Sequence, residues 1–228
     1  MNFINDGKVK QKEINFMLQQ SNKARFFSIV LTIALLFLVP LSYAADNTAP
    51  AASPKQFQKF VVYKDKPSAG HYVASGFMPD GNCVAINDVW LDNCNGNRSC
   101  IQLKFNRDCT ATGTGWAGVY WLDPANNWGD NKGGYNLTGA QKLVFWARGE
   151  KGGEVVTFKM GGIGMGHAYP DSDSATSDPI TLTKEWKQYS IDLKDKDLTR
   201  IIGGFGWVGT AKENQSNIIF YVADISYQ

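Results

Sequence analysis

From residue 57 onwards, hydrophobic and polar positions alternate over short segments that are separated by Gly, Pro, Asn and Asp. A period of two residues predicts β-strands with one buried face, and no segment of this region keeps the 3.6-residue period of an amphipathic helix. The segments with strand character are 60–63, 99–105, 116–122, 142–147, 154–160, 186–192, 201–208 and 218–227. Strands without intervening helices predict an all-β fold, an antiparallel β-sandwich of the jelly-roll type.

The same alternation separates the two faces of the strand at 116–122. Trp121 shares its parity with Ala117 and Val119, which are purely apolar, so Trp121 is predicted to lie in the core. Trp116 and Tyr120 lie on the opposite face. This face is therefore predicted to carry aromatic rings that do not belong to the core.

The stretch 115–129 contains three of the seven Trp residues, interspersed with Gly, Asn and Asp. Sugars place apolar C–H faces on aromatic rings and bond their hydroxyls to amides, carboxylates and guanidinium groups, so this mixture predicts carbohydrate binding. For each ring the alternative is an ordinary place in the core. The candidate ligand residues are Trp116, Tyr120 and Trp128 for stacking, Asn127 and Arg148 for hydrogen bonds, and Trp146 and Trp207 for the floor of the cleft.

Residues 1–44 have the organisation of a secretory signal peptide. A segment containing Lys and Arg precedes an apolar run at 26–41, and Ser42-Tyr43-Ala44 provides a cleavage site. Met17 is an alternative start, and an uncleaved anchor is the rival interpretation, although the run is shorter than the roughly 20 residues that span a bilayer. The predicted product is a secreted or periplasmic protein without stable membrane insertion, with a linker at 45–56 and one domain at 57–228.

The charge of the chain gives no reason to expect a nucleic-acid partner. Residues 1–44 contribute five of the 23 Lys and Arg residues and two of the 21 Asp and Glu residues, so the remainder is close to neutral. A basic patch of the kind that binds phosphates is therefore not indicated.

All four cysteines lie within residues 83–109. In an exported chain they are expected to form disulfides. A hairpin about the turn-rich loop 95–99 would bring Cys94 to Cys100 and Cys83 to Cys109, which predicts a nested pair of bridges. Zinc binding is the alternative, but the spacing lacks C-x2-C pairs and neither His lies nearby.

Several motifs follow one another in a characteristic order: Gly-Trp-Ala-Gly-Val-Tyr-Trp at 115–121, Asn-Asn-Trp-Gly at 126–129, Phe-Trp-Ala-Arg-Gly-Glu at 145–150, Gly-Gly-Phe-Gly-Trp at 203–207 and Tyr-Val-Ala-Asp-Ile at 221–225. This series resembles bacterial exported galactose-binding-like jelly rolls, which are similar to the carbohydrate-binding modules of glycoside hydrolases. The resemblance implies a β-sandwich that binds a glycan without changing it chemically.

Some modules of this kind hold a structural calcium ion between their terminal strands, beside a doubled acidic pair. In this chain the pair is reduced to Ala223-Asp224, so Asp224 is the candidate calcium ligand. One carboxylate supplies at most two of the about six to eight oxygens that calcium takes. No other cofactor is implied.

Catalysis receives little support from the sequence. Glycoside hydrolysis usually requires two carboxylates across one bond, and sequence spacing places no two of them. A Gly-x-Ser-x-Gly elbow is absent, and the two His residues lie far apart. We therefore predict a protein that is not an enzyme. The alternatives are an envelope or matrix protein that docks another protein through its aromatic surface, and a small glycosidase or lyase.

Overall fold

The computed structural model describes residues 56–67, 71–79, 81–108 and 115–228. The predicted signal peptide, all but the last residue of the predicted linker, and Cys109 lie outside these residues. Within them the chain forms no helix and has thirteen strands: β1 (Phe60–Lys64), β2 (Lys66–Pro67), β3 (Val73–Met78), β4 (Val84–Trp90), β5 (Cys100–Phe105), β6 (Trp116–Leu122), β7 (Lys142–Gly149), β8 (Val155–Gly161), β9 (Ser174–Thr176), β10 (Ile180–Thr181), β11 (Lys187–Asp192), β12 (Gly203–Thr210) and β13 (Ile218–Tyr227).

Sheet 1 is built around β13. Strand β7 pairs with one edge of β13, and β11 continues the sheet beyond β7. The other edge of β13 is divided, because its first half pairs with β5 and its last residues pair with β1. Strands β4 and β2 then extend the sheet from β5 and β1. All these pairings are antiparallel.

Sheet 2 has the order β10, β8, β12, β6 and β3, and β9 pairs with β8 on the same edge as β10. Its pairings are also antiparallel. Strands β9 and β10 therefore form one edge of sheet 2, and β3 forms the other.

The two sheets bury one core between them. Phe145 of sheet 1 and Phe158 of sheet 2 place their ring centroids 4.5 Å apart, and Phe205 packs on both. Trp121 belongs to this core, as its parity predicts, and makes an edge contact with Phe205 at 5.3 Å. Contacts of this kind across the sandwich supply the main hydrophobic stabilisation of the fold.

The predicted antiparallel β-sandwich is confirmed. Each of the eight predicted segments contains a strand, and β6 and β13 have the predicted bounds. The pattern missed β3 and β4 and the short strands β2, β9 and β10. Gly76 interrupts the apolar run of β3, and it is required because a side chain there would meet Leu122 Cδ1 at 2.8 Å.

The predicted disulfide between Cys94 and Cys100 is present. Cys83 is disulfide-bonded as well, and its predicted partner lies outside the described residues. The part of the chain that the structure describes contains no helix long and apolar enough to cross a bilayer.

Candidate functional site

The residues predicted to bind a ligand fall in separate places. Strand pairing puts some on the outer face of sheet 2, some on the outer face of sheet 1 and one in the core between them. The outer face of sheet 2 and the loop at its end hold Trp116, Tyr120, Asn127 and Trp128. Trp146 and Arg148 lie on the outer face of sheet 1. Trp207 is fully buried in the core, so the prediction that it floors a surface cleft has to be corrected.

One cross-strand row on the outer face of sheet 2 is open and nearly flat. Antiparallel pairing aligns Met78, Gly118, Val208 and Thr157 across β3, β6, β12 and β8. All but the glycine are half-buried. Gly118 has no room for a side chain, because its Cβ would lie 2.1 Å from the Trp207 carbonyl oxygen. The row therefore presents low apolar side chains beside a hydroxyl.

Trp116 stands at one end of this face, opposite Thr210 in the pairing of β6 with β12. Its side chain is half-buried. Trp116 and Tyr120 are four residues apart on one strand, which corresponds to about 13 Å along the sheet. The face between them is long enough for more than one sugar ring.

The next row contains Gly76, Tyr120, Gly206 and Lys159, of which Lys159 is half-buried and the others are buried. The glycines let the Tyr120 ring lie flat across β12, because a Cβ at Gly206 would be 2.7 Å from its ring. The Tyr120 hydroxyl donates a 2.8 Å hydrogen bond to the carbonyl oxygen of Gly161 on β8. The ring thus spans three strands as part of the floor.

Tyr120 is only 3% exposed, which alters the role predicted for it. Burial raises the pKa of its hydroxyl well above the usual value, so this group stays neutral and donates to Gly161. The Lys159 ammonium lies 5.7 Å from the ring centroid, on the outer side of the sheet. A ligand would reach Lys159 before it reached Tyr120.

Two loops, 123–134 and 162–173, form a wall at one end of this face. Trp128 and Tyr169 belong to the wall and pack with Leu122 and Ile163 in a small apolar cluster beside Tyr120. Both rings remain half-buried. The wall therefore closes the face at one end and adds two aromatic rings to it.

Asn127 folds the first loop of the wall and is 1% exposed. Its Oδ1 accepts from the backbone N–H groups of Gly129 and Asn131, both at 3.1 Å, and its Nδ2 donates to the Asn131 carbonyl oxygen at 2.9 Å. With its amide used in this way, Asn127 positions Trp128 and does not offer the hydrogen bond to a ligand that the sequence predicted.

The two loops of the wall are held against each other by backbone contacts. Tyr169 N–H donates to the Gly129 carbonyl oxygen at 2.9 Å, and a Cβ at Gly129 would lie 2.6 Å from the Cα of Gly164. His167 Nδ1 also meets Asp130 Oδ1 at 2.8 Å, although both side chains are largely exposed. The wall is thus one unit made of two loops.

Asp171 anchors the second loop of the wall to sheet 2. Its carboxylate accepts hydrogen bonds from the backbone N–H groups of Ile163, at 2.9 Å, Ile202 and Gly203. Burial raises the pKa of this carboxyl above its usual range, and the backbone donors oppose that shift. The Asp171 carboxylate therefore stabilises the fold through these three hydrogen bonds.

The outer face of sheet 1 is also aromatic, but its polar groups bond one another. The Arg148 guanidinium lies 3.8 Å from the Tyr221 ring centroid and 5.6 Å from that of Trp186. The Tyr221 hydroxyl donates to Glu150 Oε2 at 2.6 Å and accepts from Gln102 Nε2 at 3.1 Å. Arg148 itself is buried within this network.

The loop 91–99 meets this outer face of sheet 1, and the Cys94–Cys100 disulfide anchors it there. The indole N–H of Trp186 donates to the Asn93 carbonyl oxygen at 2.8 Å, and that of Trp90 donates to the Asp92 carbonyl oxygen at 2.9 Å. Trp146 packs in the same cluster. The outer face of sheet 1 is therefore a second, smaller core.

The candidate calcium ligand Asp224 has a local partner. Its Oδ2 accepts a 2.8 Å hydrogen bond from Asn97 Nδ2, and its φ of 50° lies in the left-handed region. Among the described residues, no group of three or more His, Cys, Asp or Glu side chains is placed to share a metal ion.

The sequence reasoning did not assign Met78, Thr157, Lys159 or Val208 to the site. The parity of β8 does place Thr157 and Lys159 together on its non-core face, so this signal was available. Met78 lies on the missed strand β3. Val208 lies on the face of β12 opposite to that of Trp207, and the sequence did not show which of these faces is the outer one.

No protein-family model matches the sequence, and no curated protein matches it. Similar solved structures include a family 30 carbohydrate-binding module at 16% identity, with 75% of this chain and 98% of that chain covered and a TM-score of 0.49. A family 11 carbohydrate-binding module of a cellulosomal cellulase of Clostridium thermocellum is similar at 12% identity, with 75% and 94% covered and a TM-score of 0.46. A family 29 carbohydrate-binding module is similar at 9% identity, with 75% and 87% covered and a TM-score of 0.44.

Proposed function

We propose that this protein binds a polysaccharide or oligosaccharide, without chemically changing it, on the outer face of sheet 2. The observation that carries the proposal is the composition of this face. Trp116 lies at one end of an open, glycine-flattened floor, and Trp128 and Tyr169 lie in the wall at the other end. Such rings suit the apolar faces of sugars.

The polar groups of the face support the same interpretation. Lys159 forms no ion pair with any described residue, and the Thr157 hydroxyl bonds to none of them. Hydroxyl and ammonium groups bind sugar hydroxyls, whereas glycoside hydrolysis uses a pair of carboxylates. Binding without hydrolysis therefore fits the chemistry of this surface.

Export of the protein is part of the proposal. The disulfide between Cys94 and Cys100 suits an oxidising compartment, because cytosolic thiols are kept reduced. This agrees with the signal peptide proposed for residues 1–44. The protein would then meet its glycan outside the cytoplasm.

The test compares one Trp from each outer face. We expect Trp116→Ala to weaken retardation of the protein in polysaccharide-containing native gels by at least about tenfold, because an aromatic anchor is lost. Trp146→Ala, the matched control on sheet 1, should be retarded like the wild type. Thermal unfolding of both variants shows whether each still folds.

The opposite result, in which Trp146→Ala loses retention and Trp116→Ala keeps it, would move the site to sheet 1. If no polysaccharide in a broad panel retards the wild type, the proposal fails. Stable co-purification of a protein in that case would favour the alternative, an envelope or matrix protein that docks a partner.

A further inference from the structure

We propose that the glycan site continues beyond sheet 2 into a groove at the side of the sandwich, so that the protein selects long, neutral chains. This inference rests on the proposed function. It adds a second contact region, made of hydroxyls and carboxylates, to the aromatic floor.

The groove lies between the edge of sheet 2 and the edge of sheet 1 and has a volume of about 610 Å³. One side is formed by β9, β10 and the turn between them, and the other by the end of β11 and the turn after it. Its lining contains no aromatic side chain, and its polar residues include Ser174, Thr176, Asp178, Ser190, Asp192 and Lys196.

Thr176 makes the groove continuous with the face. Its strand, β9, pairs with β8 so that Thr176 is opposite Lys159. Lys159 in turn is opposite Gly206 on β12, and Gly206 is opposite Tyr120 on β6. The row is buried at Tyr120 and Gly206, becomes half-buried at Lys159 and ends at the exposed Thr176, which also lines the groove. A chain that leaves the floor over Lys159 and continues across the strands is led to the groove through Thr176.

The distance along this row favours a chain over a single sugar. From β6 to β9 the row crosses three strand spacings, or about 14 Å. The groove adds to this length, because its far side belongs to β11 of the other sheet. A disaccharide on the floor near Trp116 would not reach it, whereas a hexasaccharide would span both regions.

The polar groups of the groove are available to a ligand. The hydroxyls of Ser174, Thr176 and Ser190 make no hydrogen bond to any described residue, and neither does the Asp178 carboxylate. Asp192 is exposed and accepts only from the Lys194 backbone N–H, at 3.0 Å. Sugar hydroxyls can donate to both carboxylates and exchange hydrogen bonds with the three hydroxyls.

The charge of the groove decides which glycans it admits. The Lys196 ammonium is paired with Asp173 at 3.1 Å, so it does not neutralise Asp178 or Asp192. Lys142 is opposite Asp192 in the pairing of β11 with β7, but neither Asp192 nor Asp178 forms an ion pair with a described residue, so the two carboxylates repel a chain of uronic acids. The groove therefore favours neutral chains.

The test uses the full chain with Asp178→Ala and Asp192→Ala combined. Wild type is first screened against hydroxyethyl cellulose, xylan, glucomannan, galactomannan and polygalacturonate, and a disaccharide and a hexasaccharide are prepared from the polymer that it retains best. Calorimetry should show hexasaccharide binding weakened about tenfold, as expected for lost hydrogen bonds to charged groups, and disaccharide binding unchanged.

The control is the combination of Asp92→Ala and Glu185→Ala, which removes two exposed carboxylates outside the groove and should change neither affinity. Unchanged hexasaccharide binding in the groove variant, or an equal loss for both lengths, overturns the inference while the proposed function stands. Polygalacturonate retained as well as the neutral polymers overturns the charge selection. If wild type retains no polymer, the proposed function and this inference both fail.

Discussion

The outer faces of the two sheets carry similar residues and differ in what those residues already bond. On sheet 1, the indole groups of Trp90 and Trp186 donate to backbone carbonyl oxygens, and Arg148 lies against Tyr221. On sheet 2, the Lys159 ammonium lies 5.7 Å from the Tyr120 ring centroid but forms no ion pair with any described residue, and the Thr157 hydroxyl bonds to none of them. A ligand can therefore bind the polar groups of Lys159 and Thr157 on sheet 2, whereas the groups named on sheet 1 already have partners.

The comparison shows that aromatic content alone does not mark a binding face. A Trp whose N–H is bonded and whose ring is packed under a disulfide-anchored loop contributes to stability. Trp116 is half-buried beside Gly115 at the start of β6, so part of its ring can contact a ligand. Mutations of the packed residues on the outer face of sheet 1 should therefore change the free energy of unfolding, and mutations of the half-buried residues on the outer face of sheet 2 should change binding.

The largest expected effect on stability is that of Arg148→Ala. It removes the stack on Tyr221 at 3.8 Å and the packing of a buried side chain, and should lower the free energy of unfolding by about 3 kcal/mol. Urea denaturation followed by fluorescence measures this change. Lys159→Ala is the matched control, because its cation also faces a Tyr ring but is half-buried at 5.7 Å, and its stability should change little.

The same two substitutions also separate an effect on glycan binding from an effect on folding. Arg148→Ala should keep its glycan retention under conditions where it is folded, and Lys159→Ala should lose part of it. If Arg148→Ala instead keeps its stability and loses glycan retention, the distinction between the two faces is wrong.

A second prediction concerns the loop 91–99. Replacing Cys94 and Cys100 by Ser should lower the free energy of unfolding by about 2 kcal/mol, because the unfolded chain loses a short-loop constraint. The fluorescence of Trp90 and Trp186 should shift to longer wavelength as water reaches them. Denaturation and emission spectra test this, and unchanged spectra would show that the loop stays in place without the bridge.

The smallest expected effect is that of Tyr120→Phe. Loss of the buried hydrogen bond to Gly161 should lower the free energy of unfolding by about 1 kcal/mol, with glycan retention unchanged because the hydroxyl is directed into the sheet. Tyr169→Phe is the control, since the Tyr169 hydroxyl bonds to no described residue. A loss of retention in Tyr120→Phe at full stability would place that hydroxyl in contact with the glycan.

The sequence predicted the sandwich well because parity and turn residues are local signals. Trp121 in the core and Trp116 on the opposite face follow directly from alternation along β6. The same reasoning placed Trp207 correctly beside Phe205, but could not say which of the two faces of β12 was the inner one. That choice depends on how the two sheets pack against each other, and the alternation of residues along a single strand does not reveal it.

The roles of Asn127 and Arg148 could not be predicted for a different reason. An amide in a polar loop serves a ligand or the loop itself, and only the positions of the Gly129 and Asn131 N–H groups decide between them. Arg148 is removed from solvent by Trp186, which is distant in sequence. A contact such as that of Arg148 with Trp186 joins distant segments and leaves no local pattern in the sequence.

The central place of β13 in sheet 1 has a consequence for how the protein is made. Its residues pair with β1, which starts at Phe60, as well as with β5 and β7. Contacts between segments so far apart in the chain form slowly, and here they must wait for the segment synthesised after all the other strands. In a chain emerging from the ribosome, sheet 1 therefore stays incomplete until β13 appears, and the core between the two sheets cannot close before then.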